Sequence, residues 1–139
     1  RSSDLLDNLT KIKYYIVSKI SINEREKYKM AIIHADKDLF NKMLGEKKTF
    51  LVDFFATWCG PCKMLERVFE SIDSKAEVNV DIVNIDIDKE PELAQKYNVE
   101  AVPTMYFVAN GEVKNSLSGF IPEDRLVPKL KELAAEKGK

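Results

Sequence analysis

The chain's two cysteines, Cys59 and Cys62, stand three positions apart in Trp58-Cys59-Gly60-Pro61-Cys62. Sulfurs at this spacing point to reversible oxidation: one thiolate attacks a disulfide, and its neighbour displaces the product. A structural zinc site takes four ligands, and two cysteines with the single histidine, His34, do not supply them without carboxylates. A small domain stapled by disulfides shows four or more cysteines at longer separations. A redox pair is the simplest reading.

An ordinary thiol has a pKa near 8.5, so only about 3% is thiolate at pH 7. Unpaired N–H groups and the positive end of the macrodipole at a helix N-terminus favour the anion. The apolar run Phe50-Leu51-Val52-Asp53-Phe54-Phe55 reads as a buried strand, and Met64, Leu65, Val68, Phe69 and Ile72 follow with helical spacing. The cysteines therefore fall at a strand-to-helix junction. Cys59, at the exposed start of the helix, is the expected nucleophile, and Cys62, one turn deeper, the resolving thiol. Gly60 relaxes the turn, and Pro61 presets φ in a first turn where its missing N–H costs nothing. Asp53 lies within the apolar strand, where burial raises a carboxyl pKa toward neutrality. Such a group can accept the Cys62 proton through water.

The elements that hold these residues alternate. Ala31–His34 reads as a short strand. Asp36 caps a helix through Met43 and Leu44, with Gly45 closing it. Val78–Ile87 is rich in β-branched residues and reads as a strand. Pro91 opens a helix through Leu93, Ala94 and Tyr97. Thr104–Val108 and Val113–Leu117 flank Asn110-Gly111, a strong hairpin signal. Pro122 opens a last amphipathic helix with Leu126, Val127, Leu130 and Leu133. The expected class is α/β, order βαβαβαββα: a three-layer α/β/α sandwich with a central mixed sheet.

With 139 residues, 45% hydrophobic and 32% charged, the chain is one soluble domain in size and make-up. A net charge of −1 gives no electrostatic case for nucleic acid. No apolar run approaches the roughly 18 residues of a membrane span. Residues 1–29 carry seven Lys/Arg and four acids, a net of +3, leaving −4 for the rest. The shift marks an N-terminal extension (1–29) before the domain proper (30–139). Within it, Leu5, Leu6, Leu9, Ile12 and Ile16 suit an amphipathic helix, and Tyr14–Val17 suits a strand equally well. A partly ordered tail, a docking helix and a targeting remnant all fit. Asn8-Leu9-Thr10 is a glycosylation triplet of a kind that arises by chance. The chain opens on Arg1 rather than Met, so the expectation is a processed or a trimmed product of a longer precursor, with an organelle such as the mitochondrion favoured over the cytoplasm.

Taken together, Trp58-Cys59-Gly60-Pro61-Cys62-Lys63, Val52-Asp53-Phe54, Val102-Pro103-Thr104 and Asn110-Gly111-Glu112 resemble the thioredoxin family over residues 30–136. The resemblance implies the thioredoxin fold and reduction of protein disulfides, with Asp53 as proton acceptor. It implies that Val102-Pro103-Thr104 is a cis-proline segment lying against the cysteines. There it presents backbone groups to an extended client strand and keeps metal-binding side chains from the sulfurs. Trp58 and Gly119, with Gly60 and Pro61 of the loop, belong to the same docking surface. No bound cofactor or metal is implied: the redox group is the Cys59–Cys62 disulfide, and electrons come from an NADPH-dependent thioredoxin reductase. Disulfide-containing proteins are the clients, and the chain acts as a monomer.

Two positions depart from the family pattern. Arg67 replaces the proline that many members carry five residues after the second cysteine, which predicts a straighter helix. Asn84 replaces a charged residue near the buried acid, so no charged partner is expected there. His34 is read as a strand residue without catalytic meaning. Two alternatives stand beside the reductase. One is a specialised oxidase or isomerase of an oxidising compartment, disfavoured by Gly-Pro rather than a histidine between the cysteines. The other is a binding subunit without turnover, disfavoured by the joint presence of Cys59, Cys62 and Asp53.

Overall fold

The structure is a computed structural model and describes residues 30–139. The readings made for residues 1–29, including the helix, strand and glycosylation triplet, lie outside the described residues.

Five strands and four helices follow in the expected order: β1 (Ile32–His34), α1 (Lys37–Gly45), β2 (Phe50–Phe55), α2 (Gly60–Lys75), β3 (Asp81–Asp86), α3 (Pro91–Lys96), β4 (Thr104–Ala109), β5 (Glu112–Ser118) and α4 (Glu123–Ala135). The sheet order is β1-β3-β2-β4-β5. β1, β3 and β2 run parallel, as crossover helices require, and β4 and β5 are antiparallel, joined by the tight turn.

The period-2 alternation of β2 sorts the core into two layers. Phe50, Val52 and Phe54 face one way and pack with Phe40 and Met43 of α1 and Leu93 of α3. Leu51 faces the other way, with Leu65, Phe69 and Ile72 of α2 and Leu126, Leu130 and Leu133 of α4. Each such apolar side chain taken fully from water contributes about 1.5–3 kcal/mol. Asp53 occupies the next position on the α2 side. A central strand buried on both faces thus carries a carboxyl group toward the cysteine helix.

Local chemistry fixes the ends of the elements. Asp36 accepts the Leu39 N–H at 2.8 Å and caps α1. Gly45 does not close that helix: it is the last helical residue, and the left-handed position falls on Lys47, at φ 58°. Asn110 and Gly111, at φ 52° and 83°, form the hairpin turn. A Cβ on Gly111 would lie 2.7 Å from the Leu44 carbonyl oxygen, so glycine is required there sterically as well as conformationally. The third strand is shorter than its β-branched run suggests. Val78 and Val80 are buried but precede β3, filling the α2–α4 layer without joining the ladder.

At Arg67, where many family members carry a proline, α2 runs through 16 residues with its proline confined to the first turn. An interior proline occurs instead in α4, at Pro128. The apolar rhythm of Leu126, Leu130 and Leu133 carries that helix past it, because burial of three leucines outweighs one missing hydrogen bond.

Candidate active site

Cys59 is the N-cap of α2, and Cys62 lies within its first turn. The two sulfurs are joined as a disulfide. The Cys62 backbone N–H donates to Cys59 Sγ at 3.1 Å, so a helix-terminal donor is already aimed at the outer sulfur. The Lys63 N–H donates to the Cys59 carbonyl at 3.3 Å, and Pro61 brings no N–H to leave unpaired.

The N-termini of the helices differ in charge. Helices α1, α3 and α4 each carry an acid in the first turn: Asp38, Glu92, and Glu123 with Asp124. The first turn of α2 carries none. Acids at an N-terminus satisfy the dipole. Leaving them out keeps the positive helix end available to a thiolate at Cys59.

The expected exposure of Cys59 is corrected by the structure. Its surface is only 4% accessible, as is that of Cys62, because both pack with Ala56 against Phe55, Ile87 and Val102. The residues around the sulfurs are the exposed ones: Trp58 at 68%, with Gly60 and Pro61 beside it. The turn does not require glycine at position 60, since its φ is not positive and an added Cβ would meet nothing within 4 Å.

The segment distant in sequence arrives where the resemblance placed it. Val102-Pro103 is a cis peptide bond, and Val102 packs on the cysteine pair. Its carbonyl oxygen lies 3.6 Å from Cys59 Sγ. Thr104 is buried, and its hydroxyl donates to the Ala101 carbonyl at 2.6 Å, bracing the bend before β4. Gly119, at φ 90°, donates its N–H to the Pro103 carbonyl at 2.7 Å. The Gly119 backbone therefore sits against the proline.

Trp58 is held from a direction the sequence did not reveal. Its indole N–H donates to Asp88 Oδ2 at 2.9 Å, from the loop after β3. Asp88 is itself placed by its N–H to Asp86 Oδ1 at 2.9 Å. Thirty residues separate the partners, and no local pattern links them. Between Trp58, Ile87, Val99, Ala101 and Val102 lies a recess of about 100 Å³ beside the disulfide.

Behind the cysteines is a second cavity, of about 260 Å³, into which Asp53, Cys62, Lys63, Glu66, Asn84 and His34 face. Asp53 is 3% exposed. Burial pushes its carboxyl up to about 7, and the Glu66 carboxylate adds to the rise. Asn84 is the β3 residue in register with Asp53, and it is buried too. His34, at the end of β1, borders the cavity with its ring edge-on to Phe55, at 6.4 Å between centroids. Glu66 was not singled out from the sequence, although it stands four residues after Cys62 and so one helical turn along the same face.

The geometry assembles a disulfide at a helix mouth, a buried acid whose pKa is raised to about 7, and beside Trp58 a recess that is apolar apart from Glu100. Among the described residues no cluster of three or more His, Cys, Asp or Glu suits a metal ion, and no helix is long and apolar enough to cross a membrane.

Known proteins resemble this chain in sequence and fold. The family model described as Thioredoxin matches residues 31–132. A thioredoxin of Staphylococcus aureus (strain Mu50 / ATCC 700699) is 40% identical over 98 residues, covering 70% of this chain and 92% of that protein. Among solved structures, the thioredoxin of Malassezia sympodialis superposes with a TM-score of 0.64 at 30% identity, over 75% of this chain and 90% of that one. The reduced Schistosoma mansoni thioredoxin pre-protein does so with a TM-score of 0.63 at 34% identity, over 76% and 98%.

Proposed function

Because the chain belongs to the thioredoxin family and is a thiol–disulfide oxidoreductase of the disulfide-reductase type, we propose that Cys59 is its attacking sulfur and Cys62 its resolving one. The observation that carries this assignment is the Cys62 N–H aimed at Cys59 Sγ across the N-terminus of α2. Reduction leaves Cys59 as a thiolate stabilised by that donor and by the helix end. The thiolate attacks one sulfur of a client disulfide. A Cys59–client bond forms, and the other client sulfur departs as a thiolate that takes a proton from solvent.

In the second step Asp53, ionised, takes the proton of Cys62 Sγ through the 260 Å³ cavity they share. The Cys62 sulfur attacks Cys59 Sγ. The internal disulfide forms, the mixed disulfide breaks, and the second client sulfur leaves as a thiol with a proton drawn from Asp53 or water. Two electrons pass from the dithiol to the client, and Asp53 ends the cycle ready to titrate again.

Clients are disulfide-containing proteins presenting an extended segment. The recess between Trp58 and Val102 receives its side chains, and the backbone of Val102–Thr104 pairs with it in the manner of strand addition. Gly60, Pro61 and Gly119 border the same surface and admit the client backbone closely. The oxidised pair is returned to the dithiol by an NADPH-dependent thioredoxin reductase, and the chain works as a monomer. The net +3 of residues 1–29 supports an organellar address such as the mitochondrion.

The test is reduction of insulin disulfides by dithiothreitol with wild type, Cys59→Ser and Cys62→Ser. Both variants lose turnover, and only Cys62→Ser accumulates a mixed disulfide with the client, seen as a mass adduct at Cys59. An adduct on Cys62 in Cys59→Ser, with none in Cys62→Ser, reverses the assignment.

A further inference from the structure

The cavity behind the cysteines contains a second carboxylate whose place suggests a task. Asp53 enters it from β2, Asn84 from β3 and His34 from β1, while Cys62, Lys63 and Glu66 enter from α2. The sheet side offers Asp53 no cation on the neighbouring strands in register with it: its partners there are Asn84 and Met105. Oδ1 of Asp53 and Oδ1 of Asn84 are both buried, and neither accepts a hydrogen bond from protein. A buried carboxyl oxygen without a donor, in a cavity that a second carboxylate also lines, suits a protonated Asp53 better than an ionised one.

We propose that Glu66 is a positioning residue for the resolving step, acting on Cys62 through Asp53 as the second carboxylate of their shared cavity. The inference rests on the reading of Asp53 as the acceptor of the Cys62 proton. Glu66 and Cys62 are one turn apart on α2, so a rigid helix fixes the carboxylate relative to the sulfur it serves. Its negative charge opposes ionisation of Asp53, and the proton stays on the buried acid until higher pH. An acid held near neutrality is a stronger base, once ionised, than one left in the ordinary carboxylate range. Lys63 and His34 face the same space. They are constant in the comparison below, so the difference isolates Glu66.

The resolving step is observable by itself. Reduced protein attacks Ellman's reagent through Cys59, releasing one thionitrobenzoate and leaving the other bound as a mixed disulfide. Cys62 then displaces that second group, and stopped-flow absorbance records its release. The pH midpoint of this second phase is measured for wild type, Glu66→Gln, Glu66→Asp and Asp53→Asn. The Asp53 carboxyl resonance is followed by ¹³C NMR in the first three as a readout independent of turnover. Glu66→Gln lowers both midpoints by about half a pH unit, the size of a like-charge interaction across a partly solvated cavity. Glu66→Asp retains most of the wild-type value. Midpoints unchanged or raised in Glu66→Gln, while Asp53→Asn removes the inflection, overturn the role of Glu66 and leave that of Asp53 standing. A second phase untouched by Asp53→Asn overturns the reading beneath it.

Discussion

Replacing Asp53 with asparagine is expected to stabilise the oxidised protein, and to do so only above the ordinary carboxylate range. In the unfolded chain Asp53 ionises near 3.8, whereas in the fold its carboxyl is pushed up to about 7, chiefly by burial. Between those values the unfolded chain has lost a proton that the native chain keeps. Stability therefore falls as pH rises, by about 1.4 kcal/mol per unit. Across about three units this amounts to roughly 4 kcal/mol, complete above pH 7 and absent below pH 4. Asparagine keeps the shape and removes the titration. Urea denaturation of both oxidised proteins from pH 4 to 8.5 measures the effect, with the disulfide preventing the thiols from titrating. The difference between the two should open steadily with pH and level off near neutrality. Parallel curves, separated by a constant within about 0.5 kcal/mol at every pH, would refute the buried-acid argument. They would mean that Asp53 ionises in the fold as easily as outside it. On the proposed role of Asp53 as proton acceptor of the resolving step, the more stable protein should be the slower enzyme.

Asp88→Ala frees the indole of Trp58 from its 2.9 Å hydrogen bond while leaving the sulfurs in place. Insulin reduction should show a KM raised several-fold with kcat nearly unchanged, and because Trp58 is the sole tryptophan, its fluorescence anisotropy should fall in parallel. Gly111→Ala forces a Cβ to within 2.7 Å of the Leu44 carbonyl oxygen at a φ of 83°. Denaturation should show a loss of about 1–3 kcal/mol, with the disulfide chemistry at the opposite end of the sheet intact.

The sheet, the helices and the cysteine pair were legible because each is written in short-range patterns. The continuous run of β2, the 3-4 spacing of α2 and the Asn110-Gly111 turn depend on neighbours within a few residues. The legible parts of the site were those carried by such patterns: Cys59 and Cys62 at a strand-to-helix junction, and an acid stranded in an apolar strand. What the local pattern could not show were contacts made by folding. Asp88 reaches Trp58 across thirty residues. Cys59 proved buried because Val102 and Ile87 close over it, and neither is near it in sequence. Glu66 was readable in principle from its i+4 relation to Cys62, but its meaning required knowing that β2 points Asp53 toward the same face of α2. The shortened β3 shows the converse: the β-branched Val78 and Val80 satisfy a packing demand that composition alone does not separate from strand pairing.

A sheet with open borders must keep foreign strands from joining it. β5 is an outermost strand with nearly all its side chains exposed, the kind of border on which chains zip together into aggregates. A register irregularity opposite it at Phe107/Val108 twists that border, and the charges of Glu112 and Lys114 stud it. The other border among the described residues, β1, is only three residues long. Foreign strands thus find poor purchase on either described flank, and the sheet resists growing by edge-to-edge pairing.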